Sequence, residues 1–335
     1  MSMNLSAYAA GGAGYSAISL HEDYIPQPGP GEALVRLNAA TLNYRDLLFV
    51  RGELTGLTKE PHYVPLSCGA GEVVAVGADV TRVKAGDRVS PLFSQVWLTG
   101  RMPAMDMLGG SADGTARRYA VFDAEGLVIN PLELGDLEAA TLPCAGLTAW
   151  NALFQHRPIK TGEWVYCPGT GGVSLAAMQF AKAAGAHVVI TSASDAKLAR
   201  AKAMGADVGI NYRITPDLGA AIREALGGEG VDVVVDVVGI DQLELNLSLL
   251  NPGGLVAAIG MLAANFSWGV GQFDDPRMGR ISVGNREEHE AMLAFIAHHG
   301  IRPVVDVVYP LERLADAYAR LESNRFFGKV GVTLV

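Results

Sequence analysis

Apolar positions in the first part of the chain come in short runs, at 33–37, 73–76 and 89–93. Turn-forming clusters punctuate them: Pro28-Gly29-Pro30-Gly31, Gly77-Ala78-Asp79 and Ala85-Gly86-Asp87. Short runs between such turns predict a β-rich domain or small barrel. Near residue 138 the rhythm changes. Residues 137–154 have helical spacing. Strands are then predicted at 164–167, 187–191, 208–210, 231–238 and 255–259, with helices at 172–184, 196–204, 218–226 and 243–250 between them. Continuous Val/Ile strands alternating with helices predict a parallel sheet covered on both faces. One more helix is predicted at 287–298, followed by a β-rich tail that ends in 329–335 and rejoins the first part. The expected division is 1–137 with 286–335 as one domain and 138–285 as an inserted α/β domain.

Composition narrows the function classes. Of 335 residues, 50% are hydrophobic and 18% charged, which can fill a large core and excludes disorder as the main state. With 26 basic against 35 acidic side chains the net charge is −9, which speaks against a nucleic-acid backbone binder. Cys68, Cys144 and Cys167 form no CxxC pair, so neither a disulfide framework nor a four-thiolate zinc site is expected. Residues 1–20 lack the basic start and apolar run of a signal peptide. The apolar stretch 243–264 is broken by Asn251-Pro252-Gly253-Gly254, unlike a bilayer-spanning helix. The expectation is a soluble cytoplasmic protein with no membrane or nucleic-acid partner.

The predicted strand ending at Cys167 runs into Gly169-Thr170-Gly171-Gly172-Val173-Ser174 and then a helix. Gly169 suits the tight turn, and Gly171 suits close backbone approach to a pyrophosphate at the helix N-terminus. Ser174 stands where the general fingerprint has its third glycine. A GxG alone is weak evidence, but strand–turn–helix context with further β/α units makes a dinucleotide site the expectation. The second strand chooses the cofactor. NAD sites carry an acid at its end, about 20 residues on, for the ribose 2′-hydroxyl. Here that end reads Thr191-Ser192-Ala193-Ser194. Asp195 is expected to cap the next helix. Lys197, one turn in, suits a 2′-phosphate, so NADPH is favoured.

Several stretches resemble the medium-chain dehydrogenase/reductase superfamily, in its zinc-free quinone-oxidoreductase-like branch, often named zinc-type alcohol dehydrogenase-like. They are Ala39-Ala40-Thr41-Leu42-Asn43-Tyr44-Arg45-Asp46, Lys84-Ala85-Gly86-Asp87-Arg88-Val89, Leu142-Pro143-Cys144-Ala145-Gly146-Leu147-Thr148-Ala149-Trp150, the glycine loop, Ile210-Asn211-Tyr212-Arg213 and Phe327-Gly328-Lys329-Val330. The match spans the whole chain in order. The resemblance implies an α/β protein, with a β-rich chaperonin-10-like (GroES-like) catalytic domain and an inserted Rossmann doubly wound parallel sheet. It implies that Lys197 and Tyr212 grip the 2′-phosphate. The expected cofactor set is Thr148, Gly169, Thr170, Gly171, Gly172, Val173, Ser192, Ser194, Lys197, Tyr212, Gly239, Gly260, Val283 and Lys329.

In zinc-dependent relatives the metal ligands fall at positions matching Asn43, Ser67 and Cys144. Only the cysteine ligates zinc well, so no metal is expected. A Cys68/Cys144/His62 set is the weaker alternative. Without zinc to acidify an alcohol, hydride delivery to a quinone or α,β-unsaturated carbonyl is the expected chemistry. Asn43 is expected to donate to the substrate carbonyl, and Tyr44 to donate a proton or to pack as a wall. The proton-donating tyrosine of superfamily enoyl reductases is matched by Leu54, with Tyr63 a weaker substitute. Arg45 and Asp46 read as a buried structural pair. Residues 93–100 read equally as a substrate wall or a packed loop, and Phe266, Trp268 and Phe273 as a second wall or an interface. A homodimer through edge strands near Ile281-Ser282-Val283 is expected. Two other readings stand beside this one: a zinc-dependent alcohol dehydrogenase, and a non-enzymatic nucleotide-binding protein.

Overall fold

The computed structural model describes residues 3–54, 56–104, 106–260 and 274–335. Phe266, Trp268 and Phe273 lie outside the described residues. The chain forms two compact units, Met1–Leu147 with Val283–Val335, and Thr148–Ser282.

The first unit opens with an antiparallel pair, β1 (Met3–Tyr8) and β2 (Ser19–Tyr24). Then come β3 (Glu32–Thr41), α1 (Tyr44–Arg51), β4 (Cys68–Val76), β5 (Arg88–Pro91), β6 (Tyr119–Asp123), β7 (Leu127–Ile129) and α2 (Asp136–Ala139). The helix predicted over 137–154 is divided: α2 is followed by a π-helical turn at Leu142–Gly146 and by α3 (Leu147–Phe154). Pro143 has no N–H and cannot continue an α-helical ladder, which the period of apolar residues did not register. The turn and α2 pack on β4. That packing places the stretch up to Leu147 with the first unit, beyond the boundary expected at 137.

The second unit contains β8 (Trp164–Cys167), α4 (Gly172–Ala183), β9 (His187–Ser192), α5 (Asp195–Ala203), β10 (Val208–Asn211), α6 (Leu218–Ala225), β11 (Val231–Asp236), α7 (Leu243–Ser248), β12 (Leu250–Ala258) and β13 (Met278–Arg280). Its six strands lie in the order β10-β9-β8-β11-β12-β13, every pairing parallel. This is the 3-2-1-4-5-6 order of the dinucleotide-binding doubly wound sheet, with the switch point between β8 and β11. Val188, Val189, Ile190, Val233, Val234 and Val235 are fully buried, as apolar central strands require.

The chain then returns to the first unit through α8 (Arg286–His299), β14 (Val305–Pro310), α9 (Leu314–Glu322) and β15 (Lys329–Thr333). The expected β-rich tail thus contains a helix. The inner face of α9 buries Leu314, Ala317, Tyr318 and Leu321 at spacings of one and two helical turns. β15 inserts antiparallel to β3 and parallel to β14, giving a seven-stranded sheet in the path β14-β15-β3-β4-β5-β7, with β6 also on β3. The β15–β3 pairing sets Gly331 opposite Thr41. It thereby brings Lys329 to the end of β3 that leads into Asn43.

Candidate functional site

In the second unit the turn after β8 is built from its glycines. Gly169 has φ +77°, a left-handed conformation that glycine adopts without penalty. Gly171 caps α4 and offers no side chain to the helix amides. A Cβ built on Gly171 would project into open space, with nothing within 4 Å. Orphan N–H groups at a helix start, behind a bare backbone edge, suit an anion. Ser174 replaces a glycine and ties the loop down: its buried Oγ donates to Pro168 O at 2.6 Å. Thr191 Oγ1 accepts from Gly169 N at 3.4 Å, linking the loop to β9. Thr191 did not stand among the expected site residues, because only the folded sheet brings β9 beside the loop.

Four of the expected cofactor residues, Ser192, Ser194, Lys197 and Tyr212, lie at or just beyond the C-terminal ends of β9 and β10. Ser192 ends β9 and is paired with Asn211 at the end of β10, and Tyr212 N donates to Ser192 O at 3.2 Å. Ser194, not Asp195, is the N-cap of α5, its Oγ accepting from Lys197 N at 3.4 Å. The capping expectation for Asp195 is corrected here: it is the first helical residue, and its carboxylate accepts from Asn211 Nδ2 at 2.7 Å. A hydroxyl one position earlier already has the extended backbone that a cap requires. Lys197 is half-buried and Tyr212 is exposed.

Gly239 and Gly260 follow β11 and β12. A Cβ on Gly260 would lie 2.1 Å from Gly239 N and 2.3 Å from its Cα. The two backbones touch, and no side chain fits between them. Asp236, fully buried at the end of β11, accepts from Val238 N at 2.9 Å and Gly239 N at 3.0 Å. Burial raises its carboxyl pKa against the pull of those two amides.

In the first unit a polar cluster forms around Asn43. Lys329, 5% exposed, donates to Leu42 O and, at 2.5 Å, to Asn43 Oδ1. Asn43 Nδ2 donates to Ser67 Oγ at 3.2 Å and Cys68 Sγ at 3.1 Å. Lysine carries donors only, so the amide oxygen must face it and the NH₂ must face the hydroxyl and sulfur. Asp46 Oδ2 accepts from Asn43 N at 2.7 Å and closes the first turn of α1. Arg45 is a buried partner of Asp46 at 3.4 Å, donates to Leu108 O at 2.9 Å, and stacks on Phe49 and Phe93. Both N–H groups of Asn43 are thus committed within the chain, where a donor to substrate was expected. Lys329, expected at the cofactor, has its ammonium on Asn43.

The charges in this cluster perturb one another. Burial lowers the Lys329 pKa, and the neighbouring Cys68, Cys144 and Asp46 offset this only in part. Burial raises the Asp46 carboxyl pKa despite Arg45 and the Asn43 amide. Burial alone would raise the Cys68 thiol. The hydrogen bond from Cys144, the Lys329 ammonium and Ser67 outweigh it, and the pKa falls to about 6. Cys144 is held well above the usual value, first by its hydrogen bond to Cys68 and then by burial.

Tyr44, Leu54 and Val283 pack against the hydrophobic core of the first unit, and Thr148 is buried in α3 of the second. Tyr63 is 1% exposed against Phe49, and burial pushes its phenol up, which disfavours ionisation. In the 93–100 loop Phe93 and Trp97 are buried, Trp97 Nε1 donates to Gly100 O at 2.7 Å, and Val96 is exposed. That favours a packed loop for the aromatics. His62 is exposed while Cys68 is fully buried, and among the described residues no three His, Cys, Asp or Glu side chains gather as metal ligands would. No helix among those residues is long and apolar enough to cross a membrane.

Comparison with known proteins places these observations in a family. Residues 29–131 match the model of the alcohol dehydrogenase GroES-like domain, and 172–298 that of the zinc-binding dehydrogenase. A zinc-type alcohol dehydrogenase-like protein of Schizosaccharomyces pombe is 39% identical over 330 residues, 95% of each chain. Among solved structures, an NAD-dependent alcohol dehydrogenase superposes with TM-score 0.88 at 31% identity, covering 99% of this chain and 100% of its own. A quinone oxidoreductase of Pseudomonas syringae gives 0.82 at 28%, and a mycobacterial protein complexed with NADPH 0.81 at 26%, each covering 99% of this chain and 100% of its own. With a GroES-like domain, a doubly wound nucleotide sheet and these relatives along its whole length, the chain belongs to the medium-chain dehydrogenase/reductase superfamily of oxidoreductases, in its zinc-type alcohol dehydrogenase-like branch.

Proposed function

We propose that this protein is a zinc-independent, NADPH-dependent reductase of quinones or α,β-unsaturated carbonyls. The observation that carries this reading is the ammonium of Lys329 on Asn43 Oδ1. Zinc chemistry needs three good ligands with free lone pairs. At the matching positions Ser67 and Asn43 are poor ligands, and the one amide lone-pair donor already serves a cation. A dication beside that ammonium would be repelled at close range. The residues present do not fit the metal.

They do fit the nucleotide. The bare edge at Gly171, the α4 N-terminus and the buried Ser174 anchor suit a pyrophosphate. Lys197 and Tyr212, with the hydroxyls of Ser192 and Ser194, suit a 2′-phosphate, and the adjacent carboxylate, Asp195, is engaged by Asn211. The mycobacterial NADPH complex supports the dinucleotide reading, while the NAD-dependent relative marks the competing cofactor. When bound, the nicotinamide supplies hydride. The chain's own contribution is electrostatic. Lys329 fixes Asn43 and supplies a buried positive charge, which favours an oxyanion or enolate developing beside it. A quinone or enone needs that help and no metal-acidified hydroxyl. We further propose a cytoplasmic homodimer that pairs near Ile281-Ser282-Val283, next to β13, the last strand of the six-stranded sheet among the described residues.

The test is steady-state oxidation of NADPH and NADH with naphthoquinone and enone panels, with and without a zinc chelator. Turnover with NADPH that survives chelation is the expected result. Activity that chelation abolishes and zinc restores would return the alcohol dehydrogenase reading. Nucleotide binding without any turnover would favour the non-enzymatic one.

A further inference from the structure

Asn211 is the last residue of β10 and is paired with Ser192, the last residue of β9. Its side chain is engaged at both ends. Nδ2 donates to Asp195 Oδ1 at 2.7 Å, and Oδ1 accepts from Arg213 N at 3.0 Å. The partners fix which way the amide faces, since a backbone N–H needs an acceptor and a carboxylate needs a donor. The Asn211 carbonyl is engaged as well, accepting from Thr215 Oγ1 at 2.8 Å and from Ile214 N at 3.3 Å. β10 therefore ends in a turn folded over its own last residue, and the turn carries Tyr212 and Arg213. An asparagine oxygen that takes the amide two residues on is ordinary turn chemistry. The Nδ2 bond has no such local reason, because Asp195 lies 16 positions earlier, at the start of α5.

Asp195 stands between Ser194 and Lys197 and is exposed. Its charge suits the first turn of a helix, which accounts for an acid there without any nucleotide. The same charge is a hazard to a cofactor with a 2′-phosphate. A carboxylate beyond the second strand accepts from the ribose 2′-hydroxyl in an NAD site and repels a phosphate at that place. An exposed aspartate moves among its rotamers unless something holds it. Asn211 Nδ2 holds this one toward the end of β10.

We infer that Asn211 is a positioning residue that sets cofactor choice by restraining Asp195, an inference that rests on the NADPH reading above. The chemical group at stake is the 2′-phosphate monoester of the dinucleotide. Lys197 supplies attraction, and Asn211 removes a repulsion. Discrimination is a difference of two affinities, and both terms change it. NADH gains nothing from the restraint, since the carboxylate withheld is the acceptor its 2′-hydroxyl would use.

The test measures Kd for NADPH and for NADH by fluorescence titration of the full-length protein, as wild type, Asp195→Ala, Asn211→Ala and the double variant. The turn should survive in Asn211→Ala, because the bonds from Thr215 and Ile214 go to the Asn211 backbone. Releasing the carboxylate should raise Kd for NADPH roughly fivefold, the scale of one charge interaction near a protein surface, with Kd for NADH level or lower. Asp195→Ala alone should move either value by less than about twofold. The double variant should return Kd for NADPH to within about twofold of wild type, because neighbours that act through one another are non-additive. A residue that merely supports the fold would show no such rescue. Parallel losses for both nucleotides in Asn211→Ala, an unmoved preference, or a loss that Asp195→Ala leaves in place would each overturn the role of Asn211. Those outcomes are read against a wild type that prefers NADPH. A wild type that binds both nucleotides alike would overturn the NADPH reading itself, and the role of Asn211 with it.

Discussion

The side-chain nitrogen of Lys329 lies 2.5 Å from the amide oxygen of Asn43, a residue 286 positions earlier in the chain. The pairing of β15 with β3 makes this contact, and it orients the amide whose other end holds Ser67 and Cys68. Replacing Lys329 by methionine keeps much of the volume and removes the charge. A hydrogen bond to a charged group contributes about 1.5–3 kcal/mol, so kcat/KM should fall by roughly 10- to 100-fold. The loss should appear in kcat, with nucleotide Kd changed by less than about twofold. If titration instead finds NADPH binding weakened and kcat intact, Lys329 belongs to the cofactor site that the sequence suggested.

Cofactor choice is testable at the corner formed by β9, β10 and α5. Lys197→Ala should raise the Kd for NADPH by about tenfold and leave that for NADH nearly unchanged, because the lost partner is a phosphate that NADH lacks. Tyr212→Phe should have a smaller effect in the same direction. Fluorescence titration of both nucleotides reads this directly. Parallel losses for NADPH and NADH would mean that Lys197 supports the fold and does not read the 2′ position.

Gly260 tests the close approach of two loop backbones. An added Cβ would sit 2.1 Å from Gly239 N, and neither partner is a side chain that can turn aside. Overpacking of this kind costs about 1–3 kcal/mol or more. For a unit of this size that is a fall of roughly 3–10 °C in Tm. Gly260→Ala should therefore melt earlier by calorimetry, whereas Gly171→Ala, whose Cβ meets nothing within 4 Å, should keep its Tm and lose nucleotide affinity.

His289 makes the first unit sensitive to acid. It is fully buried in α8, and neither ring nitrogen has a hydrogen-bond partner among the described residues. Burial lowers its pKa to about 3. Between that value and the ordinary one near 6.5, the unfolded chain binds a proton that the folded chain does not. The contribution is therefore intact above about pH 6.5 and is lost as the pH falls. By pH 5 the loss amounts to about 2 kcal/mol. His289→Leu should flatten the dependence of Tm on pH between 7 and 5. An unchanged slope would place the acid sensitivity elsewhere.

The alternation of Val-rich strands with helices was enough to expect a doubly wound sheet. Its strand order is observed as β10-β9-β8-β11-β12-β13 because parallel strands joined by right-handed crossovers have few ways to arrange themselves. The glycine turn was equally legible, since a φ of +77° at Gly169 and a bare edge at Gly171 are local demands on local residues. The first unit was harder to read. Its sheet joins strands from opposite ends of the chain, and no period in residues 329–333 announces that they will lie beside 39–41. Helix α9 was missed among the strands of the tail, and Pro143 divided what looked like one helix.

The sequence by itself determined the alternating elements of the α/β insert, the family resemblance and the nucleotide loop, because those depend on residue periods and on backbone freedom over a few positions. Tertiary structure decided the polar centre. It put the Lys329 ammonium on Asn43 and committed both N–H groups of that amide to Ser67 and Cys68. Those charges and donors act over a few ångströms between residues far apart in the chain, and only packing brings them within that range.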